Sequence, residues 1–343
     1  MTERLTAVLL SYNDAPTIER ALSALLTQSR PADELIVIDD ASTDDSVPRV
    51  ERWAAEQPSI RLIRRPANLG VVAGLNTGLA EARGETVYFA SADDMVLPGF
   101  FERTLDTLGR HPAAALCFSD LVCRSTEDGS VHEFPLRIAD EPRYLTPGAL
   151  VAALRRRPFL IASTTAVFRI AALREAGGFD PDLAWYTDWF ISLVAGFRGG
   201  VCYRPEGLAV HSIDAGGFSG TGTRDWPRQR QILLALLART RNADIRHAFR
   251  RAGALPAFDA RLLPAVLARP SLWPTLSPLM LRRLAAAGVV RVGLAAAPAE
   301  LKRLYRRVRP RERDWGTPKA CREATRARLR KAGLIPPVSA ASG

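Results

Sequence analysis

Two apolar runs that end in paired carboxylates constrain this chain more than any other feature. Leu35-Ile36-Val37-Ile38 closes on Asp39-Asp40, and Val87-Tyr88-Phe89-Ala90 leads through Ser91-Ala92 to Asp93-Asp94. Uninterrupted runs of this kind read as parallel strands covered on both faces, because a half-exposed strand alternates apolar and polar residues. Each acidic pair then emerges at a carboxyl edge of the sheet, where open α/β sheets bind ligands. A third acid, Asp188, stands in Trp185-Tyr186-Thr187-Asp188-Trp189. Carboxylates at the ends of buried strands suit a cation that bridges to a diphosphate.

The surrounding pattern alternates strand and helix. An opening strand over 5–10 is followed by Asn13-Asp14-Ala15-Pro16 as a turn, and Ile18, Ala21, Leu22, Leu25 and Leu26 share one helical face. Beyond the second strand, 35–38, Ser42-Thr43-Asp44-Asp45 offers caps to a helix through Val50 and Trp53. A short strand at 61–63, a helix over 71–82 stopped at Gly84, and a strand over 86–90 complete a βαβαβ progression. Further on, 114–118 and 164–168 read as strands, and 124–144 reads as a hairpin or loop. A helix runs to Glu175 and stops at Gly177-Gly178, another starts near Asp188, and the pattern beyond Asp225 is helical with repeated proline breaks.

The 343 residues can bury a substantial core, and 47% hydrophobic with 24% charged content is globular. Cys117, Cys123, Cys202 and Cys321 show no CxxC pairing and are too few for a disulfide framework, which points to a reducing cytoplasm. Met1-Thr2-Glu3-Arg4 leads directly into the first strand without a secretory h-region, in line with action inside the cell. The net charge of +11 is unevenly spread: residues 1–222 hold 21 Arg/Lys and 29 Asp/Glu, whereas residues 223–343 hold 26 and 7. That asymmetry suits either an anionic partner or a solvated helical appendage.

Taken in order, Val8-Leu9-Leu10-Ser11-Tyr12-Asn13, Val37-Ile38-Asp39-Asp40-Ala41-Ser42-Thr43-Asp44, Asn68-Leu69-Gly70, Ser91-Ala92-Asp93-Asp94, Gly177-Gly178-Phe179-Asp180 and Thr187-Asp188-Trp189 resemble the inverting family 2 glycosyltransferases. The resemblance covers roughly residues 5–220. It implies an α/β GT-A fold, a Rossmann-like and mostly parallel sheet flanked by helices, with a C-terminal helical extension. The organisation it implies is a nucleotide-sugar-binding half at 1–110, an acceptor-binding half at 111–222, and a basic helical extension at 223–343.

By the same resemblance Asp94 is the direct metal ligand and Asp93 the ribose or metal-water partner, with Mg²⁺ or Mn²⁺ suited to their hard oxygens. Asp94 is expected as an exposed strand-end carboxylate. The usual first acid of that motif is Ser91 here, and Leu75 stands where many relatives carry Arg. Ser11, Tyr12, Asp40 and Asp93 are the nucleotide-binding candidates: Asp40 accepts from the nucleobase and Tyr12 stacks on it. The bland alternatives are that Asp39 or Asp40 only caps a turn and that Tyr12 packs in the core. Asp188 matches the family's general base, with a helix N-cap as its alternative or additional role. His211 is a loose match to a diphosphate or metal contact. The stretch from Asp214 to Gly222 reads equally as a lid or a linker, and Trp189 reads as core.

The function so implied is metal-dependent sugar transfer from a nucleotide diphosphate, UDP in the first instance, to a hydroxyl of a surface polysaccharide, glycolipid or other glycosylated product. A catalytically silent sugar-nucleotide-binding module and a basic membrane-docking scaffold are the alternatives. Neither 232–237 nor 284–297 is a credible membrane span, but 303–309 and 322–331 suit an anionic membrane face, making a cytoplasmic protein peripheral at the inner face. Nucleic acid is disfavoured because no recognised motif accompanies the charge.

Overall fold

In the computed structural model, which describes residues 3–213, 222–257, 259–296 and 319–335, a ten-stranded sheet carries helices on both faces. Its first part runs β1 (Leu5–Ser11), α1 (Ile18–Leu26), β2 (Glu34–Asp39), α2 (Ser46–Glu56), β3 (Ile60–Arg64), α3 (Val71–Glu81) and β4 (Thr86–Ser91). The second comprises β5 (Met95–Val96), α4 (Phe100–Gly109), β6 (Leu116–Ser125), β7 (Val131–Phe134), β8 (Arg143–Leu145), α5 (Pro147–Arg156), β9 (Ala166–Arg169), α6 (Ile170–Glu175), α7 (Thr187–Gly199) and β10 (Val201–Ile213). Helices α8 (Trp226–Arg239), α9 (Ala243–Ala252), α10 (Leu262–Leu267), α11 (Pro278–Ala296) and α12 (Lys319–Lys331) follow.

The strand order is β3-β2-β1-β4-β9-β6-β10-β5, with β7 on β6 and β8 on β10. The long strands β3, β2, β1 and β4 are mutually parallel, as are β6 and β10; β9 and the short β5, β7 and β8 are reversed. Leu5, Ala7 and Leu9 of β1 face α1, α2 and α4, while Val8 faces α3 and the helices of the other side. Both sides are therefore core, which is why these strands read as continuous apolar runs. Gly78 and Gly74 let α3 lie close against β1: a Cβ at Gly78 would stand 2.5 Å from Val8 Cγ1, and one at Gly74 2.9 Å from Leu10 Cδ2.

Two expectations change. The stretch 164–168 is not wholly strand, because Ser163–Thr165 forms a 3-10 turn and the strand begins at Ala166. The basic C-terminal region shares the core of the sheet: Ile232, Leu233, Leu236 and Leu237 of α8 and Phe249 of α9 pack in the same cluster as Phe89 and Trp189. At the far end α12 returns to β10, where the Gly207 N–H donates to Thr325 Oγ1 at 2.9 Å and Arg328 meets Glu206 at 2.7 Å. Leu329 packs on Leu97, Val122 and Val210. The candidate lid at 214–221 and the basic segment 303–309 lie outside the described residues. Among the described residues no helix is long and apolar enough to cross a membrane.

Candidate active site

The chain leaves β4 at Ser91 and turns at once toward β5, the Asp94 N–H donating back to the Ser91 carbonyl at 3.2 Å. Because β5 pairs with the far end of β10, this turn is pressed against Val210, His211 and Ser212. Asp94 is 3% exposed, not the open strand-end carboxylate expected from sequence. Its Oδ1 accepts from the Ser212 N–H at 2.8 Å and its Oδ2 from Thr164 Oγ1 at 2.6 Å. His211 Nδ1 lies 3.1 Å from Oδ1 and 3.2 Å from Oδ2. Asp93 is half-buried, and its carbonyl accepts from Arg20 at 3.0 Å and Ser212 Oγ at 2.6 Å.

The electrostatics of this corner favour positive charge. Burial works against protonation of His211, yet the hydrogen bond to Asp94 and the charges of Asp94, Asp93 and Asp188 push its pKa up to about 9. Burial, then the adjacent Asp94, raises the Asp93 carboxyl. A divalent cation answers the same concentration of negative charge. The donor set fits one with hard-ligand preference: carboxylate oxygens and one imidazole, with no thiolate among them. Among the described residues no three His, Cys, Asp or Glu side chains converge as a ready cage.

Asp188 enters the same corner from the first turn of α7. Its Oδ1 accepts from the Trp189 N–H at 2.7 Å, and its Oδ2 from the Ser163 N–H and Oγ at 3.3 and 3.2 Å. Burial raises its pKa, with the Ser163 and Trp189 hydrogen bonds pulling the other way. A carboxylate so placed is more basic than a solvated one, and a helix N-terminus favours its ionised form. Asp188 is not the N-cap, which is Tyr186 without a side-chain bond; it lies inside the first turn of α7.

Ser11 is buried at the end of β1, and Tyr12, 47% exposed, presents its ring to solvent instead of the core. The loops after β1 and β2 are laced together: the Asn13 N–H donates to Ser42 Oγ at 2.9 Å and the Thr43 N–H to Asn13 Oδ1 at 2.8 Å. Asp39 is buried and caps its turn through the Ser42 N–H at 3.1 Å. Asp40 Oδ1 accepts from Arg65 at 3.0 Å and the Leu69 N–H at 2.9 Å, and Oδ2 from the Gly70 N–H at 2.8 Å. Of about four acceptor positions on a carboxylate, one is left for a ligand. Leu75 is core, packed with Val72 and Leu79. Trp189 is 3% exposed and meets Phe249 edge-on, in keeping with its reading as core.

A sequence model of the family described as Glycosyl transferase family 2 matches residues 6–176. Through this segment the chain belongs to that family. A Mycobacterium tuberculosis relative, the uncharacterized protein MT1568, is 30% identical over 58% of this chain and 64% of its own length. The succinoglycan biosynthesis protein ExoO of Rhizobium meliloti is 35% identical over 29% and 28%. This chain therefore spans less than two thirds of these relatives. Among solved structures, TarS of S. aureus, in complex with UDP-GlcNAc, superposes with a TM-score of 0.58 at 17% identity, covering 78% of this chain and 73% of that one. The mannosyltransferase PcManGT from Pyrobaculum calidifontis, in complex with GDP-Man and Mn²⁺, gives 0.50 at 22% identity over 97% and 87%. At these identities the likeness shows the GT-A fold.

In this family 2 chain the structure also brings forward two residues that sequence reasoning passed over. Ser163 and Thr164 are neighbours in the 3-10 turn before β9; the first holds Asp188 and the second holds Asp94. Tyr88 pins the turn by donating to the Thr164 carbonyl at 3.1 Å. Hydroxyls grouped as Ser163-Thr164-Thr165 before an apolar strand were the available signal. Thr164→Val keeps the shape but removes a donor from a buried carboxylate, an expected loss of about 1–3 kcal/mol. Urea unfolding of the two proteins measures it, and an unchanged midpoint contradicts the assigned bond.

Proposed function

We propose that this family 2 glycosyltransferase moves a sugar, with inversion, from a nucleotide diphosphate to a hydroxyl acceptor in a polysaccharide, glycolipid or other glycosylated product. The observation that carries the reading is the meeting of Asp93, Asp94, His211 and Asp188 at one sheet edge, expressed in the raised pKa of His211. Asp94 and His211 would hold Mg²⁺ or Mn²⁺, with Asp93 toward the ribose or a metal-bound water. The ion supplies Lewis-acid stabilisation of the departing diphosphate.

Asp188 then takes the proton of the attacking hydroxyl, and Ser163 orients it for that task. Inversion follows from the base and the leaving group lying on opposite sides of the anomeric carbon. Ser11, the open ring of Tyr12 and the remaining acceptor position of Asp40 form the base and ribose end. UDP is the first base to test, given the UDP-GlcNAc complex of TarS, and GDP the second, given the GDP-Man complex of PcManGT. The ExoO relative supports polysaccharide synthesis as the setting. Residues 1–110 serve the donor and 111–222 the acceptor, and 223–343 serve location, as a peripheral protein on the cytoplasmic membrane face.

Thermal-shift titration with UDP, GDP and their sugars, with Mn²⁺ and with EDTA, tests donor and metal together. A rise in melting temperature that needs both nucleotide and ion supports the reading. Identical shifts in EDTA contradict the metal role.

A further inference from the structure

We propose that the face where α5, α9 and the 3-10 turn Pro270–Thr275 meet docks on an anionic lipid bilayer. It deepens the peripheral-membrane reading above by assigning the surface, and draws partly on the GT-A half instead of the basic C-terminal segment alone.

Helix α5 ends in Arg155 and Arg156, and Arg157 follows; all three are exposed. It packs beside α9, whose own last turn exposes Arg250 and Arg251. Arg283 ties the two helix ends together, donating to the carbonyls of Leu154 and Arg155 at 2.9 and 2.8 Å and to those of Ala252 and Gly253 at 2.9 and 2.8 Å. Among the described residues, Arg155, Arg156, Arg157, Arg250 and Arg251 have no carboxylate partner. Five guanidinium groups without a carboxylate partner on adjoining helix ends make a positive field that calls for an anionic surface.

An apolar contact adjoins that field. Arg250 donates to the Pro274 carbonyl at 2.9 Å, which sets the neighbouring Trp273 beside the arginines. Trp273 is 52% exposed and its Nε1–H donates to the Leu267 carbonyl at 3.3 Å; Leu267 itself is 56% exposed. Two large apolar side chains held together in water and edged by arginines match the amphipathic pattern of an interfacial membrane contact, with indole and leucine entering the headgroup boundary and guanidinium groups pairing with lipid phosphates. Nucleic acid would use the charge but leaves Trp273 and Leu267 without a purpose at a helix-end surface.

The face is also close to the chemistry. Five residues lie between Arg157 and Ser163, a reach of at most about 20 Å over the six steps, and Ser163 holds Asp188. Leu160, midway, is 52% exposed. Docking here brings the acceptor side of the site toward the bilayer, which favours an acceptor hydroxyl carried on a lipid.

Co-sedimentation of the full chain with vesicles of phosphatidylglycerol and phosphatidylcholine, against phosphatidylcholine alone, tests the assignment at low and high salt. Binding is expected only to the anionic vesicles and to fade as salt rises. Arg155→Glu with Arg156→Glu, and separately Trp273→Ala, should each weaken it by about tenfold or more, with melting temperature and vesicle-free donor turnover unchanged. An Arg306→Glu, Arg307→Glu protein should bind as wild type. Wild-type binding by the patch variants, with loss in the Arg306/Arg307 variant, overturns this face while leaving a membrane role intact. Failure of the wild type to bind anionic vesicles overturns both, and tighter binding to duplex nucleic acid than to vesicles overturns the lipid assignment.

Discussion

Asp188→Asn is expected to lower sugar transfer by about 10²-fold or more while leaving donor affinity within a few-fold of wild type. Asparagine keeps the size and one acceptor oxygen, so either the Trp189 N–H or the Ser163 N–H keeps its partner while the amide faces the other. What disappears is the basic carboxylate that burial has made a better proton acceptor. The split between kcat and affinity matters, because a structural defect at the helix N-terminus lowers both. Steady-state kinetics with a verified acceptor, beside calorimetry of the donor nucleotide, separates them. Unchanged kcat removes Asp188 as the base.

The second large effect belongs to Asp94. Asp94→Asn is expected to weaken metal-dependent nucleotide binding by roughly 10²-fold, at the upper end of the 10- to 100-fold range usual for groups that only support a ligand. Its stability cost differs from what an exposed strand-end acid would give. Asp94 is buried and receives Ser212 and Thr164, and His211 leans on both oxygens. Turning one oxygen into an amide leaves a buried donor facing another donor, a cost of about 1–3 kcal/mol. Calorimetry with Mn²⁺ and urea unfolding read the two effects separately. Equal metal-dependent affinity in the variant and wild type contradicts the ligand assignment.

The first half of the sheet was legible because its signals are local. Burial of β2 and β4 on both faces leaves uninterrupted apolar runs, and each run ends where the sheet ends, so the acids that follow fall at the edge. Helices α1 and α3 begin or end within a few residues of their sequence positions, as their apolar faces and Gly84 indicated. The second half hides its signals in long-range pairing. Asp94 is buried by Ser212, 118 residues away, and no periodicity near Asp94 records that contact. Strand β10 bends through irregular register between Arg204 and Ala209, which breaks the alternation that marks a strand. In Ser163 and Thr164 the useful chemistry is two hydroxyls, which carry no pattern until the turn sets them between two carboxylates.

The C-terminal region shows a related contrast. Its excess of arginine was visible, but charge says nothing of the leucines that α8 contributes to the shared core. Gly207 shows how tightly α12 closes on β10, since a Cβ there would stand 2.6 Å from Val122 Cγ2 and 2.7 Å from Thr325 Cγ2. That segment braces the strand bearing His211.

Release of nucleoside diphosphate from a panel of UDP- and GDP-sugars, followed with Mn²⁺ and with EDTA, tests the central claim most directly. The account predicts turnover of at least one donor, dependent on the ion and lost in Asp188→Asn. Nucleotide binding without turnover of any donor, in the presence of ion and candidate hydroxyl acceptors, contradicts the enzyme and leaves a silent sugar-nucleotide-binding module.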